Sequence, residues 1–177
     1  AYIEINNFYT ATVYEKGAEL IRMLRILVGP DAYRAALDLY FERHDGQACT
    51  IEDWLQVFED VTLTDLSRFK RWYQQAGTPR VGARWEIEGG ELRLTLTQAV
   101  PPTPGQPLKE PVVIPVSLAL HDGDGAELLP ETLHILEGPE ETLRWDLAKL
   151  AEAAGRPVPD RVIPSLLRGF SAPVILD

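Results

Sequence analysis

Residues 77–97 read GTPRVGARWEIEGGELRLTLT and mark a change in the periodicity of the chain. After Pro79, apolar and polar residues alternate with the two-residue period of a β-strand. Gly89-Gly90 separates two alternating runs and is typical of a two-residue β-hairpin. The stretch therefore predicts the first two strands of an antiparallel sheet, beginning at residue 80.

Downstream of this hairpin the pattern predicts further strands at residues 112–120, 132–136, 142–147 and 173–176. Short strands separated by polar turns are typical of a small antiparallel sandwich. The proline-rich residues 101–105 are expected to form a loop without a packing role. Residues 148–154 fit one helical turn or two, and the sequence leaves that choice open.

Upstream of Gly77 the period is helical. An apolar stripe with a 3.6-residue repeat predicts a helix within residues 9–28, and Pro30 suits the first turn of a second helix. Thr50 is expected to cap a third helix, with Asp53 three residues later, and Thr64 a fourth. Helices followed by strands predict an α+β fold with a boundary near Gly77, so that residues 1–79 are helical and residues 80–177 form the sandwich.

The composition excludes several classes of function. The net charge of −10 and the absence of Lys/Arg runs argue against nucleic-acid binding. No apolar run approaches the ~20 residues that a membrane helix needs. Cys49 is the only cysteine, so no intramolecular disulfide forms, and this usage favours a reducing, cytoplasmic compartment.

Three other motifs have structural explanations that we prefer. His44-Asp45-Gly46 suits a helix C-terminus and the turn after it. The segment HDGDG at residues 121–125 resembles a calcium loop, but Leu120 would occupy the first ligand position, so a polar turn is expected. The aromatic residues Phe69, Trp72 and Tyr73 share one helical face and are expected in the core rather than on nucleic-acid bases.

The segment NNFYTATVYEKGAE at residues 6–19 resembles the zinc-dependent gluzincin aminopeptidases of the bacterial aminopeptidase N type. The resemblance continues through LYFERHDG at 39–46, FKRWYQQAGTP at 69–79 and GFSAPV at 169–174. It implies that residues 1–79 are the C-terminal helical part of a catalytic domain. It also implies that residues 80–177 are the immunoglobulin-like β-sandwich that follows.

The resemblance assigns roles to three residues. Tyr14 corresponds to the tyrosine that donates a hydrogen bond to the oxyanion of the tetrahedral intermediate, and it is the expected catalytic residue. Asn6 and Tyr9 correspond to the segment that lines the pocket for the first side chain of the substrate. Peptides are the implied substrates, and the reaction is removal of N-terminal amino acids by a hydrolase.

The metal site that this family uses does not occur in the sequence. The family binds zinc through His-Glu-x-x-His and a further Glu, N-terminal to the tyrosine segment. The only histidines here are His44, His121 and His134, and no two are four residues apart. We therefore expect a piece of a longer enzyme, inactive alone and without zinc of its own, whose partners are the remaining domains of the same polypeptide.

One alternative belongs to another class of function. The chain suits a non-catalytic relative of aminopeptidases, in which helices and sandwich serve as a scaffold or as a peptide- or protein-binding module. The Tyr14 segment favours the enzyme, because a scaffold has no need of the phenol. Helical and strand patterns do not separate the two.

Overall fold

The computed structural model describes residues 4, 9, 10 and 12–177. The chain divides into two compact units, Ala1–Gln74 and Gln75–Asp177. Helices occupy the first unit and two mainly antiparallel sheets the second, which confirms the predicted α+β class.

The described residues of the first unit form four α-helices. A π-helical turn at Thr12–Lys16 leads into α1 at Gly17–Val28, followed by α2 at Pro30–His44, α3 at Ile51–Thr62 and the short α4 at Arg71–Gln74. Its core comprises buried apolar residues from all four helices and the turn before α4: Leu20, Met23, Leu24, Ala36, Leu55, Val57, Phe58, Leu66, Phe69 and Trp72. The core position predicted for Phe69 and Trp72 is confirmed, whereas Tyr73 is only half-buried.

Local capping explains the ends of α2 and α3. Pro30 begins α2 after Gly29, which has a φ of 82°, and α2 ends at His44 with Asp45 as its C-cap, as predicted. Thr50 Oγ1 accepts a hydrogen bond from the backbone N–H of Asp53 at 3.2 Å. The Asp53 carboxylate accepts the Thr50 N–H at 2.8 Å, which completes the expected capping box.

The fourth helix is much shorter than the apolar pattern predicts. Residues 67–70 form turns, and α4 covers only Arg71–Gln74. Thr64 does not cap it, since its N–H donates back to Thr62 Oγ1 at 3.3 Å. The carboxylate of Asp65 instead accepts the N–H of Ser67 at 2.8 Å, which holds a turn where a helix was expected.

The second unit is a seven-stranded sandwich. One sheet has the order β5-β2-β1-β7 and the other β4-β3-β6. The strands are β1 Arg80–Glu88, β2 Glu91–Ala99, β3 Ile114–Asp122, β4 Glu127–Leu136, β5 Glu140–Asp146, β6 Val162–Leu166 and β7 Ile175–Leu176, with helix α5 at Leu147–Ala153. Residues 148–154, left open by the sequence, thus lie mostly in α5.

The β1–β2 hairpin at the start of this unit forms as the sequence predicts. Glu88 pairs with Glu91, and the two glycines between them have φ angles of 59° and 83°. Two consecutive residues with positive φ are what a type I′ turn requires, and glycine adopts them without steric cost. Leu92, Leu94 and Leu96 of β2 are fully buried, so the alternation does select the inward face.

The sequence pattern missed β6. Pro164 stands in the middle of this strand, and a proline usually argues against a central strand. The structure resolves the conflict because β6 pairs only with β3 and lies at the edge of its sheet.

The prolines and Gly105 of the proline-rich loop are exposed, and the polar side chains that follow the loop make hydrogen bonds to Thr103 and Ala76. Lys109 Nζ donates to Ala76 O and Thr103 Oγ1, both at 2.8 Å, and to Gln106 Oε1 at 2.6 Å. Gln106 Oε1 also accepts the N–H of Ala76 at 2.8 Å. Lys109 and Gln106 therefore anchor Ala76 at the start of the sandwich unit, an arrangement that alternation patterns do not reveal.

Candidate functional site

Tyr14 lies on the π-helical turn that precedes α1 and is 60% exposed. Its backbone N–H donates to Thr10 O at 3.1 Å, which fixes the start of the turn. Isolated π-helical turns are rare and occur often at functional sites. The apolar stripe of residues 9–28 fits an ordinary α-helix and does not indicate this π-helical turn.

Tyr9 lies beside Tyr14. The two ring centroids are 6.2 Å apart with an angle of 29° between the planes, so the rings are stacked with an offset. Tyr9 is 56% exposed, and both rings therefore lie at the surface of the described structure. Asn6, the third residue assigned by resemblance, lies outside the described residues.

Gly17 follows the turn and begins α1. A Cβ atom placed on Gly17 would meet nothing within 4 Å among the described residues, so packing within this chain does not explain the glycine.

The described residues do not form a metal site. Among residues 4, 9, 10 and 12–177, no group of three or more His, Cys, Asp or Glu side chains could hold a metal ion. The donor set therefore does not fit zinc.

A histidine–carboxylate pair joins β4 to β5. The sequence pattern did not predict this pair. His134 Nε2 lies 2.9 Å from Glu141 Oε2. Glu141 Oε1 accepts the backbone N–H groups of Gly138 at 2.8 Å and Glu137 at 2.9 Å. Burial raises the pKa of Glu141, but the hydrogen bonds from Gly138, Glu137 and His134 outweigh it and hold that pKa below its ordinary value. The pair ties together the turn by which the chain passes from one sheet to the other.

The HDGDG segment forms the turn between β3 and β4, as expected. Asp122 Oδ1 accepts the N–H groups of Ala126 at 2.8 Å and Asp124 at 3.0 Å, while Oδ2 lies 3.1 Å from Arg156. The Ala126 hydrogen bond, with those from Asp124 and Arg156, holds the pKa of Asp122 below its usual range despite partial desolvation. The Asp122 carboxylate thus stabilises the turn between β3 and β4.

The GFSAPV segment has a structural role in the sandwich. Ser171 is buried, and its Oγ accepts the N–H of Ser117 at 3.2 Å. Ser117 Oγ in turn donates to Glu131, whose other carboxylate oxygen lies 3.2 Å from Arg168. These contacts fix the segment that begins with the 3₁₀ turn Arg168–Phe170 against β3 and β4.

Comparisons with known proteins match the two parts of the chain to two different protein families. Residues 1–73 match the Peptidase family M1 domain, and residues 77–177 match the domain of unknown function DUF3458, which has an Ig-like fold. The chain belongs to the DUF3458 Ig-like family. The M1 match places this sandwich directly after a peptidase-type segment.

Similar whole proteins are bacterial aminopeptidases. The chain is 41% identical to aminopeptidase N of Escherichia coli and 46% identical to aminopeptidase N of Caulobacter vibrioides, in each case over 99% of this chain and 20% of the relative. The crystal structure of Legionella pneumophila aminopeptidase A in complex with aspartic acid matches with a TM-score of 0.82 and 28% identity, over 99% of this chain and 19% of that one.

The expected similarity to aminopeptidase N is confirmed. The chain spans about a fifth of the length of the relatives that it matches. Within the described part of the chain, no helix has the length and apolar character needed to cross a membrane.

Proposed function

We propose that this chain is part of a zinc metalloaminopeptidase that removes N-terminal amino acids from peptides, and that Tyr14 is its oxyanion donor. The observation that carries the proposal is the exposed phenol of Tyr14 on a π-helical turn, in a segment that matches the M1 peptidase domain. A phenol held at the rim of a helix start can reach a ligand, whereas a core tyrosine cannot.

The chemistry asked of Tyr14 is electrostatic. Attack on a peptide carbonyl places negative charge on the carbonyl oxygen, and a fixed O–H group stabilises that charge by donating a hydrogen bond. The phenol keeps its proton throughout, so no change of ionisation is needed. The stacked Tyr9 ring restricts the positions open to the Tyr14 ring and thereby helps to orient its hydroxyl.

We propose that Tyr9 and Asn6 contribute to the pocket for the first residue of the substrate. Support for Tyr9 comes from its place beside Tyr14, and support for Asn6 comes from the resemblance alone. We also propose that the gluzincin zinc ligands and the general base belong to parts of the parent enzyme outside this chain, since the described residues do not fit the metal.

Four further features belong to the proposal. Residues 1–79 are the end of the catalytic domain, and residues 80–177 are the sandwich after it. The remaining domains of the parent polypeptide are the partners of this chain, and the parent is cytoplasmic, in keeping with the single cysteine. The 177-residue chain alone is inactive and takes up no catalytic zinc.

The test compares Tyr14→Phe with Tyr9→Phe in a full-length enzyme that contains this chain, assayed with aminoacyl-p-nitroanilides. Tyr14→Phe should lower kcat by roughly 10²–10³-fold, the loss typical of one oxyanion donor, with little change in KM. Tyr9→Phe keeps an aromatic ring of similar size and should leave kcat within a few-fold.

Two outcomes would contradict the proposal. Comparable losses in both variants would show that the Tyr14 hydroxyl has no special role, because each variant keeps its aromatic ring and loses only a hydroxyl. A full-length protein without aminopeptidase activity would favour the scaffold or binding-module alternative instead.

A further inference from the structure

Helix α1 contains a glycine that its own backbone does not require. Lys16, just before it, has helical angles of φ −63° and ψ −39°, so the π-helical turn and α1 form one continuous helix. Gly17 thus lies inside a helix, and it is not one of the glycines with positive φ. Glycine is less favourable there than alanine or leucine, because it loses more conformational freedom on folding.

Two apolar side chains flank Gly17 along the helix. Val13 precedes it by four residues and is 37% exposed, and Ile21 follows it by four residues and is 42% exposed. Residues four apart lie on one side of a helix, so these three form a row roughly 12 Å long, which we call the glycine row. A Cβ atom on Gly17 would meet nothing within 4 Å in the described part of the chain, so the row has a gap at its centre.

Charged side chains of α1 lie mainly on the other side of the helix. At about 100° per residue, Glu19 and Arg22 are roughly 200° and 140° from Gly17. They form an ion pair with each other at 2.6 Å. Arg25, four residues after Ile21, ends the apolar row. The glycine row therefore extends the apolar side of α1 beyond the part that is buried in the first unit, which comprises Leu20, Met23 and Leu24.

We propose that the glycine row is the surface on which an α-helix from the remaining part of the parent polypeptide packs against α1. This inference rests on the proposed function, since it takes residues 1–79 to be part of a longer catalytic domain. The relatives extend well beyond the fifth of their length that this chain covers, and residues 1–73 match the Peptidase family M1 domain. The occupant is thus a segment of the same polypeptide.

The shape and polarity of the row select an apolar helix as its occupant. Side chains four residues apart form the ridges that pack into the grooves of a neighbouring helix. A missing side chain in the middle of such a ridge lets a side chain of the second helix enter the gap and brings the two backbones closer together. Val13 and Ile21 are β-branched, so they adopt few rotamers and bound the gap on both sides. The close approach offsets the unfavourable helix propensity of Gly17.

The experiment measures the melting temperature of Gly17→Leu in the 177-residue chain and in the full-length enzyme, by calorimetry at one scan rate. In the chain alone, leucine replaces glycine inside a helix and meets no described residue, so the melting temperature should rise by about 2–4 °C. In the full-length enzyme the same side chain collides with the packed helix, so the melting temperature should fall by roughly 2 °C or more. One substitution thus gives shifts of opposite sign.

Two further variants test the position of the contact. Ala35→Leu adds the same side chain at an exposed position of α2 and should change the melting temperature of the full-length enzyme by no more than about 1 °C. Ile21→Lys should leave the chain alone within about 1 °C but lower the melting temperature of the full-length enzyme by roughly 2 °C or more, because the contact would bury an unpaired charge. Far-UV circular dichroism checks that each variant is folded.

Several results would overturn the proposal. They are a full-length enzyme that Gly17→Leu stabilises or leaves unchanged, an equal loss in Ala35→Leu, and a 177-residue chain that Gly17→Leu destabilises when tested alone. A raised KM at an unchanged melting temperature would assign the gap to the substrate instead of a helix.

The melting temperature does not depend on the chemistry of Tyr14, so the two proposals fail separately. A normal kcat in Tyr14→Phe together with opposite shifts in Gly17→Leu would reject the catalytic role and keep this surface. The reverse combination, a low kcat in Tyr14→Phe and a full-length enzyme unaffected by Gly17→Leu, would keep the role and reject the surface.

Discussion

The side chain of Trp85 connects the two sheets of the sandwich, since its indole Nε1 donates to the carbonyl oxygen of Val162 at 3.1 Å. Trp85 belongs to β1 in one sheet and Val162 begins β6 in the other. Both strands have an open edge on this side, so the hydrogen bond links them where no backbone ladder does.

We predict that Trp85→Phe lowers the free energy of unfolding by about 1 kcal/mol, because the hydrogen bond is lost while most of the aromatic surface remains. Urea denaturation followed by circular dichroism measures this loss. Ile87→Val, which removes one methylene from the same face, provides a control without a hydrogen bond. An equal loss in both variants would mean that apolar burial, and not the indole N–H, is responsible.

We expect the folded state of the chain to lose stability in acid because Glu141 becomes protonated. Its pKa is held below the ordinary value of 4.5, so it contributes stability that is fully present above that pH. This contribution is lost as the pH falls below 4.5 and through the folded-state pKa. We predict that Glu141→Gln is less stable than the original chain at pH 7, and that the difference shrinks as the pH falls below 4.5.

Denaturation curves at several pH values test this dependence. Glu140→Gln is the matched control, because the neighbouring glutamate is exposed and pairs only loosely with Arg84, at 3.4 Å. If Glu140→Gln changed the loss of stability in acid as much as Glu141→Gln does, the hydrogen bonds that Gly138, Glu137 and His134 make to Glu141 would not be the cause.

Thr50→Ala should destabilise the chain by about 1 kcal/mol, because the side chain that caps α3 is removed. Thr64→Ala is the control, because the sequence pattern also predicts Thr64 as a helix cap, but Thr64 does not cap a helix in the structure. Its expected change lies within about 0.5 kcal/mol. Thermal unfolding compares the two, and equal effects would contradict the assigned capping.

Gly82 is required by its cross-strand neighbour. A Cβ atom on Gly82 would lie 2.6 Å from Thr97 Oγ1, which is too close for any real contact. Gly82→Ala should therefore cost roughly 1–3 kcal/mol. In a Thr97→Ala background the obstacle is absent, and the same change should be neutral or slightly stabilising because alanine restricts the unfolded chain. A double-mutant cycle without this coupling would refute the explanation.

Tyr9→Phe and Tyr14→Phe should each leave the stability of the 177-residue chain within about 0.5 kcal/mol, because more than half of each side chain is exposed. This measurement supports the kinetic test, since any loss of kcat in Tyr14→Phe then reflects chemistry rather than unfolding. A loss of more than about 2 kcal/mol would instead assign the hydroxyl of Tyr14 a structural role.

Much of the fold was predictable where a local cause decides it. Gly89-Gly90 selects its turn, Thr50 and Asp53 cap α3, and the alternation of leucines selects the inward face of β2. Predictions were wrong where local and tertiary preferences compete. Asp65 captures the Ser67 N–H and prevents a full fourth helix, and β6 forms despite Pro164 because only one of its edges is paired.

The site shows the same division. The candidate catalytic role of Tyr14 and its place at a helix start were predicted from its sequence segment. The π-helical turn and the stacking on Tyr9 were not. The His134–Glu141 pair escaped notice because its members belong to two strands of different sheets. Nothing in their sequence spacing of seven residues indicates a contact.

By itself, the sequence determined the change from helices to strands near Gly77, the resemblance to aminopeptidases and the candidate catalytic tyrosine. These rest on periodicity, turn chemistry and short motifs, all of which act over a few residues. Only the tertiary structure decided which strands lie at the sheet edges, which polar groups meet across the sheets and how Gln106 and Lys109 anchor Ala76. Those contacts join residues up to tens of positions apart, and they exist only once the backbone has brought distant segments within hydrogen-bonding distance.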